Sequence, residues 1–330
     1  MKTKPLISIV TPSFNRGWSI QSCIKSLQSQ SYTNYEHIII DGGAKDNTLE
    51  ILHEVAKGDS RIKFISEPDR GMYDAVNKGM RLAKGDIVAY LNTDDFYFPK
   101  TLERVLKAFE DRPTLSMLYG HWMSWHPETE FLEILPVLSY NATDLAFFAV
   151  LPQPSVFFRR QVFDSLGGFD LSFKLLADND FFSKAVVKGF KFERIDDYLS
   201  IQTIHSGNLL AGNSKAILLA QHEGEQYRQN RQKEYIFKNS YAKSARLSKL
   251  RKYTLPISWR TNLVYRWLNK GQNSAEVRSA LLHNINFDFS VSLFIKYLVG
   301  RDDRHNFAYL KISKKVLSHR LGFNVPSINF

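Results

Sequence analysis

The sequence predicts an α/β protein built on a mainly parallel sheet, with a ligand site at the carboxyl ends of the strands. Through the first hundred residues, short apolar runs rich in β-formers alternate with amphipathic segments. This alternation is typical of strands joined by crossover helices, which cover both faces of the sheet. A cluster of polar residues follows each of the first four predicted strands, and in such sheets ligands bind where the strands end.

The individual elements follow from apolar periodicity and from turn and cap residues. The predicted strands are Leu6–Thr11, His37–Asp41, Ile62–Ser66, Asp86–Asn92, Ser116–Tyr119 and Ser155–Arg159. The predicted helices are Ser19–Gln30, Asn47–Lys57, Met72–Ala83, Pro99–Glu110 and Asp178–Lys188. From about residue 100 the alternation becomes irregular, which predicts a second half with a different role.

The polar clusters after the first four strands are Thr11–Asn15, Asp41–Asp46, Glu67–Arg70 and Asn92–Asp95. Any one of them alone is typical of an ordinary loop, but four in register indicate a ligand site. The adjacent carboxylates Asp94 and Asp95 offer hard oxygen ligands for Mg²⁺ or Mn²⁺ shared with phosphate. The alternative for this pair is a cap for the helix that begins near Pro99.

Four longer segments contain these clusters in order: Ile7–Asn15, Asp41–Thr48, Ser66–Gly79 and Gly85–Asp95. Together they resemble the inverting family 2 glycosyltransferases of the GT-A fold, particularly bacterial enzymes of polysaccharide and O-antigen biosynthesis. The resemblance implies a GT-A domain at residues 1–215, with a nucleotide-sugar half at 1–98 and an acceptor half at 99–215. Residues 216–330 are predicted to form a basic helical extension.

On the donor side, the resemblance implies roles for five residues near the strand ends. Thr11, Pro12 and Asn15 would line the nucleotide pocket. Asp41 would accept a hydrogen bond from the base, and Arg70 would reach toward the base or a phosphate.

The metal site is expected at the fourth strand. The family motif often begins with Asp where this chain has Asn92, so Asp94 and Asp95 are the remaining acids. Asp95 is assigned to the metal and Asp94 to the ribose or sugar. His205 is a candidate for a further metal or diphosphate ligand, because imidazole is a capable ligand; a lone histidine is more often structural.

On the acceptor side, inverting transfer requires a base that removes the proton of the attacking hydroxyl. The family carries this base in an acidic dipeptide that opens a helix, and here Ala177 replaces the first acid. Asp178 is therefore assigned as the base, with Asp180 as the runner-up, for which stabilisation of the helix start is favoured. Gln153 is a candidate donor to acceptor hydroxyls, with a proline-set turn as the equal alternative.

The net charge of +11 is concentrated at one end of the chain. Residues 240–330 hold 16 Lys and Arg against 4 Asp and Glu, which leaves −1 for residues 1–239. The basic segment is expected to attract anionic lipid, or else to form a helical subdomain with a solvated basic face. A single cysteine and the lack of an apolar leader predict a cytoplasmic protein, positioned in part at the inner face of the cell membrane.

These features predict sugar transfer from a nucleotide diphosphate sugar, UDP-linked in the first instance, to a glycan or lipid-linked glycan acceptor in cell-surface polysaccharide synthesis. The expected cofactor is Mn²⁺ or Mg²⁺.

The alternative functions are those of a catalytically inactive nucleotide-sugar-binding protein and of a nucleic-acid-binding protein with a basic tail. Nucleic-acid binding leaves the carboxylate clusters unexplained. A dinucleotide-dependent oxidoreductase is disfavoured because the first strand–helix turn lacks Gly-x-Gly-x-x-Gly.

Overall fold

The computed structural model describes residues 4–135, 137, 140, 142–147, 151–208, 214–238, 309–311, 318–319 and 321–325. The chain divides into two compact units, one of Met1–Arg231 with Tyr309–Phe330 and one of Gln232–Ala308. The first unit includes the following helix as far as Arg231, and Tyr227 of this helix packs in its core. The predicted division after residue 215 stays a prediction. The predicted basic extension falls largely on residues 239–308, outside the described residues.

The strands of the first unit form one mixed sheet. They are β1 (Ile7–Ser13), β2 (Tyr35–Asp41), β3 (Ile62–Ser66), β4 (Ile87–Tyr90), β5 (Phe96–Tyr97), β6 (Met117–His126), β7 (Phe131–Leu135), β8 (Val156–Arg159), β9 (Phe192–Thr203) and β10 (Tyr309–Lys311). The order across the sheet is β10-β7-β6-β8-β4-β1-β2-β3, and β9 pairs with β5 and β6. Strands β3, β2, β1 and β4 are parallel, whereas β8 runs antiparallel to both β4 and β6.

Helices connect these strands and cover both faces of the sheet. They are α1 (Ile20–Gln28), α2 (Thr48–Gly58), α3 (Met72–Leu82), α4 (Thr101–Asp111), α5 (Ala142–Phe147), α6 (Arg160–Leu166), α7 (Ala177–Val187) and α8 (Ser214–Lys238). The predicted elements are observed with ends shifted by two residues or fewer, except that β6 continues through the aromatic stretch to His126. Among the described helices, none combines the length and the apolar character that crossing a membrane requires.

The two faces of β1 lie in two different hydrophobic cores. Ile7 and Ile9 pack with residues of α1 and α4, whereas Val10 packs with residues of α3 and α7. Helix α3 can approach the sheet because residue 79 is glycine: a Cβ at Gly79 would lie 2.4 Å from Val10 Cγ1. Both faces of β1, β2 and β4 are buried, and β3 forms a partly exposed edge. In such a sheet ligands bind at the carboxyl ends of the strands.

Candidate active site

Strand β2 ends in a fully buried carboxylate, Asp41. Its Oδ2 accepts hydrogen bonds from Gly43 N at 3.0 Å, Ala44 N at 2.9 Å and Ser66 Oγ at 2.8 Å. Its Oδ1 has no hydrogen-bond partner among the described residues. A buried acceptor without a partner is costly, and here it indicates a place for a donor group from a ligand.

The loops around Asp41 form a polar rim with one exposed aromatic ring. Phe14 is 56% exposed at the end of β1, next to Asn15, which has a φ of 52° and accepts a hydrogen bond from Lys45 N at 2.7 Å. A Cβ at Gly42 would lie 2.7 Å from Asp69 Oδ2, so the two loops meet closely. Asn15 therefore fixes the rim of the predicted pocket through its side chain.

Two of the predicted pocket residues are buried rather than exposed. Pro12 lies within β1, and Thr11 is fully buried with its Oγ1 2.8 Å from His37 Nε2. Burial lowers the pKa of His37 to about 3, so the ring is neutral. Thr11 and Pro12 support the rim from beneath, and their direct contact with a nucleotide stays a prediction.

Arg70 extends from the loop after β3 at the start of α3. Its side chain is 75% exposed, and its guanidinium lies 3.0 Å from Asp74 Oδ1. The backbone N–H of Arg70 also donates to Asp74 Oδ2 at 3.1 Å. The guanidinium is thus anchored at one side and open to solvent at the other, which leaves it available to a phosphate or base.

The acid pair follows β4, and both carboxylates are buried. Asp95 Oδ1 accepts from Thr203 N at 3.2 Å, and its Oδ2 accepts from Asn92 Nδ2 at 3.3 Å. Asp94 Oδ2 lies 3.0 Å from Nε2 of His205, itself buried. The residue that precedes α4 is Lys100, and no side chain caps this helix. The alternative interpretation, in which Asp94 and Asp95 cap the helix, therefore has no support.

His205 is held in one orientation beside the pair. Gly207 N donates to His205 Nδ1 at 3.1 Å, which leaves the ring proton on Nε2, facing Asp94. Trp18 packs edge-on against the ring with 5.0 Å between the centroids. In this arrangement His205 is a hydrogen-bond partner of Asp94, and its role as a metal ligand stays a prediction.

The electrostatics of the pair are those of two close, buried carboxylates. Burial, and secondly Asp94, raise the pKa of Asp95 well above its usual range. Among the described residues, no three or more His, Cys, Asp and Glu side chains form a group that could hold a metal ion. The donor set nevertheless fits a divalent cation completed by a ligand, because Mg²⁺ is commonly bound by one or two carboxylates together with substrate phosphates.

Asp178 lies in the first turn of α7 and is half-buried. Its Oδ1 accepts from Asn179 N at 2.8 Å and lies 3.1 Å from Tyr73 Oη, and its Oδ2 lies 3.3 Å from Tyr90 Oη. Burial raises the pKa of Asp178, and these hydrogen bonds oppose the rise. Burial and the neighbouring carboxylate raise the pKa of both tyrosines, so their hydroxyls remain protonated donors.

Asp180 has a different environment although it lies only two residues further along α7. It is fully buried, with Oδ1 2.9 Å from Arg231 and Oδ2 2.6 Å from Lys184 Nζ. Arg231, in α8, is itself buried. Each oxygen of Asp180 lies against a cation, so this residue joins α8 to α7.

Gln153 connects the surroundings of Asp178 with those of the acid pair. Its Nε2 donates to the carbonyl of Tyr90 at 2.7 Å, and its Oε1 lies 3.5 Å from Asn92 Nδ2. Asn92 also donates to Asp95, and the Tyr90 hydroxyl faces Asp178. The predicted acceptor residue, the predicted base and the predicted metal ligand therefore lie along one chain of contacts at the end of β4.

Sequence reasoning missed the contribution of α8. Arg231 pairs with Asp180, and the carboxylate of Glu223 accepts hydrogen bonds from the backbone of residues 174–176, just before α7. Glu223, Tyr227 and Arg231 are buried and lie four residues apart, on one face of the helix. That spacing is the signal that could have revealed the buried face.

Comparison with known proteins identifies both the class and the family. Residues 8–165 match the family model described as Glycosyl transferase family 2. An uncharacterized glycosyltransferase of Mycobacterium tuberculosis is 32% identical over 189 residues, which cover 57% of this chain and 71% of that relative. The protein is a glycosyltransferase by class. The chain belongs to glycosyltransferase family 2, as the sequence resemblance indicated.

Solved structures share the fold at low sequence identity. The crystal structure of S. aureus TarS in complex with UDP-GlcNAc has a TM-score of 0.54 at 14% identity and covers 92% of this chain and 98% of that chain. Mannosyltransferase PcManGT from Pyrobaculum calidifontis, in complex with GDP-Man and Mn²⁺, has a TM-score of 0.50 at 15% identity and covers 91% and 89%. These likenesses confirm the predicted GT-A fold.

The different partners of the two acids in α7 predict effects of very different size on stability. Asp180→Asn leaves Arg231 buried without its full charge partner and should lower the free energy of unfolding by about 3 to 5 kcal/mol. Asp178→Asn should change it by less than about 1 kcal/mol, because burial already disfavours the charge at this position. Urea denaturation at neutral pH measures both, with wild type as the control. Equal losses in the two variants would contradict the separation of a structural acid from a functional one.

Proposed function

We propose that the protein is an inverting glycosyltransferase that moves a sugar from a nucleoside diphosphate sugar to a glycan or lipid-linked glycan in cell-surface polysaccharide synthesis. A UDP-linked sugar is the first candidate donor. The observation that carries the proposal is the chain of contacts at the end of β4. It connects the half-buried Asp178 through Tyr90, Gln153 and Asn92 to Asp95.

Donor binding is supported by the carboxyl ends of β1 to β4. The unpartnered Oδ1 of Asp41 is suited to an N–H of the base, and the exposed ring of Phe14 offers it a flat apolar surface. Arg70 is free on one side to meet a phosphate. TarS and PcManGT, which have similar folds, are in complex with UDP-GlcNAc and GDP-Man.

Asp95 is the residue proposed to hold a divalent cation, Mn²⁺ or Mg²⁺. Asp94 lies beside it toward the ribose or sugar, and His205 holds Asp94 or joins the ligands. When bound, the cation supplies positive charge that stabilises the departing diphosphate. The PcManGT complex contains Mn²⁺, which is consistent with this proposal.

Asp178 is proposed as the general base. Its carboxylate accepts the proton of an acceptor hydroxyl as that oxygen bonds to the anomeric carbon, and the bond from this carbon to the diphosphate breaks. One displacement on the face opposite the diphosphate inverts the anomeric configuration. The protonated Asp178 then releases its proton to solvent after the product leaves.

Gln153 is proposed to orient the acceptor near that base. One of its two amide hydrogens is donated to the carbonyl of Tyr90, so the second is available to a sugar hydroxyl. Gln153 lies in a short turn, Gln153–Ser155, and still has a donor for the acceptor. The proline-set turn and the contact with an acceptor hydroxyl are therefore compatible.

The position of the protein in the cell is proposed from the positive charge of residues 240–330. The excess of Lys and Arg in residues 240–330 is proposed to draw the protein to anionic lipid at the inner face of the membrane, where a lipid-linked acceptor is within reach. A catalytically inactive nucleotide-sugar-binding protein is the second candidate, and the turnover experiment separates it from the enzyme.

Wild-type protein should release nucleoside diphosphate from one member of a panel of UDP- and GDP-sugars in the presence of Mn²⁺ or Mg²⁺. Asp178→Asn should bind that donor with unchanged affinity but lower turnover by roughly 10² to 10⁴, the range expected for general base catalysis. Asp95→Asn should lose metal-dependent donor binding. Thermal shift measures binding and a coupled assay measures nucleotide release.

Two outcomes would contradict the proposal. Donor binding without any turnover by wild type would favour the catalytically inactive nucleotide-sugar-binding protein. Full turnover by Asp178→Asn would remove the assignment of Asp178 as the base.

The pH dependence of turnover should reflect the raised pKa of Asp178. A base acts only when deprotonated, so activity should fall as the pH drops through a value above the usual ~3.9 of aspartate. Tyr90→Phe removes a hydrogen bond that favours the charged form, so this acid limb should move to higher pH. Tyr35→Phe is the control, because its hydroxyl has no hydrogen-bond partner among the described residues. The measurement is kcat/KM against pH, and an acid limb that stays in place in Tyr90→Phe would contradict the assignment.

A further inference from the structure

Helix α8 contacts the segment before α7 through Glu223, a carboxylate that has no role in the proposed reaction. Glu223 is 2% exposed. Its Oε1 accepts a hydrogen bond from Lys174 N at 2.6 Å, and its Oε2 accepts from Leu175 N at 2.9 Å and Leu176 N at 3.0 Å. Three consecutive backbone donors are therefore bound by one side chain, immediately before α7 begins at Ala177.

A negative charge is favourable at this place in the structure. The N-terminus of a helix carries unsatisfied N–H groups and partial positive charge, and a carboxylate satisfies both. Among the described residues, the hydrogen bonds of Glu223 all come from backbone N–H groups, so its contact fixes the path of the main chain. Loss of this acceptor would leave three backbone donors without their partner, which is costly in a buried place.

The segment that Glu223 holds is also the segment that orients Asp178. The carbonyl of Leu175 lies 2.9 Å from Tyr73 Oη, and the same hydroxyl lies 3.1 Å from Asp178 Oδ1. Leu175 thus donates its N–H to Glu223 and offers its carbonyl to Tyr73. A shift of this peptide would move the tyrosine hydroxyl and the first turn of α7 together.

We propose that Glu223 is a positioning residue for sugar transfer, which acts by holding residues 174–176 so that Asp178 faces the donor and acceptor. The proposal rests on the proposed function of Asp178 as the base. It predicts that Glu223 contributes to turnover without contributing to donor affinity, since small misplacements of a reacting group cost rate more than binding.

The test compares Glu223→Gln with Glu225→Gln in the full chain. Glutamine keeps the shape, loses the charge and turns an NH₂ group toward backbone N–H donors, whereas Glu225 is exposed on the same helix and serves as the matched control. The probe is the UDP- or GDP-sugar that wild type hydrolyses fastest with Mn²⁺, with water as the acceptor. Glu223→Gln should lower kcat roughly tenfold to a hundredfold and leave donor affinity within about twofold. Glu225→Gln should leave both unchanged.

Several results would overturn the proposal, and each has a separate signature. Turnover by Glu223→Gln equal to that of Glu225→Gln, with Asp178→Asn inactive, would reject Glu223 and keep the base. A parallel loss of donor affinity and kcat would show general structural damage. An active Asp178→Asn, or a wild type that hydrolyses no donor, would reject the proposed function and this inference together. If Glu223→Gln does not fold, Glu223→Asp is measured instead, and wild-type kcat in that variant rejects the proposal.

Discussion

The pairing of β4 on both of its edges is the constraint on which the site depends. β1 pairs with it in parallel, with Val10 opposite Tyr90, and β8 pairs with it antiparallel, with Val88 opposite Phe158. One strand is therefore shared by the parallel part of the sheet, where we propose that the nucleotide binds, and the antiparallel part, where we propose that the acceptor binds. Because Tyr90 ends β4, the residues that follow it lie at a fixed distance from both sides, and Gln153 locks this junction through the Tyr90 carbonyl.

The partners of each carboxylate, and not its burial alone, decide what it can do. Asp180 faces the cations of Lys184 and Arg231 and is a structural link between helices. Asp178 faces two tyrosine hydroxyls and a backbone N–H instead. Burial raises the pKa of Asp178, which suits the base that we propose at this position. Asp41 accepts hydrogen bonds from two backbone N–H groups and a serine hydroxyl through one oxygen, and its other oxygen, which has no partner among the described residues, is proposed to meet a ligand. Asp95 lies beside the carboxylate of Asp94, and a bound cation would offset the repulsion between the two negative charges.

The sequence allowed the parallel half of the fold to be predicted nearly in full, since β1 to β4 and α1 to α4 have clear periodicity and polar clusters at the strand ends. The positions of Asp41 at the end of β2 and of Asp95 shortly after β4 could be predicted because they follow from the strand ends, whereas their contacts with Ser66 and Thr203 could not. Their roles toward a ligand stay predictions. The pairing of β9 with β5 and β6 depends on contacts remote in sequence. Helix α8 was predicted only as part of a basic helical extension, because its described buried side chains include Glu223, Tyr227 and Arg231 and form no apolar stripe.

The central claim is that a donor lies between the ends of β2 and β4 with its anomeric carbon toward Asp178. A crystal structure of the full chain with Mn²⁺ and the nucleotide sugar selected by turnover tests this directly. We expect an anomalous Mn²⁺ signal in contact with the Asp95 carboxylate, the base of the nucleotide at Asp41 and the sugar facing Asp178. A nucleotide bound elsewhere, or a metal away from Asp95, would contradict it.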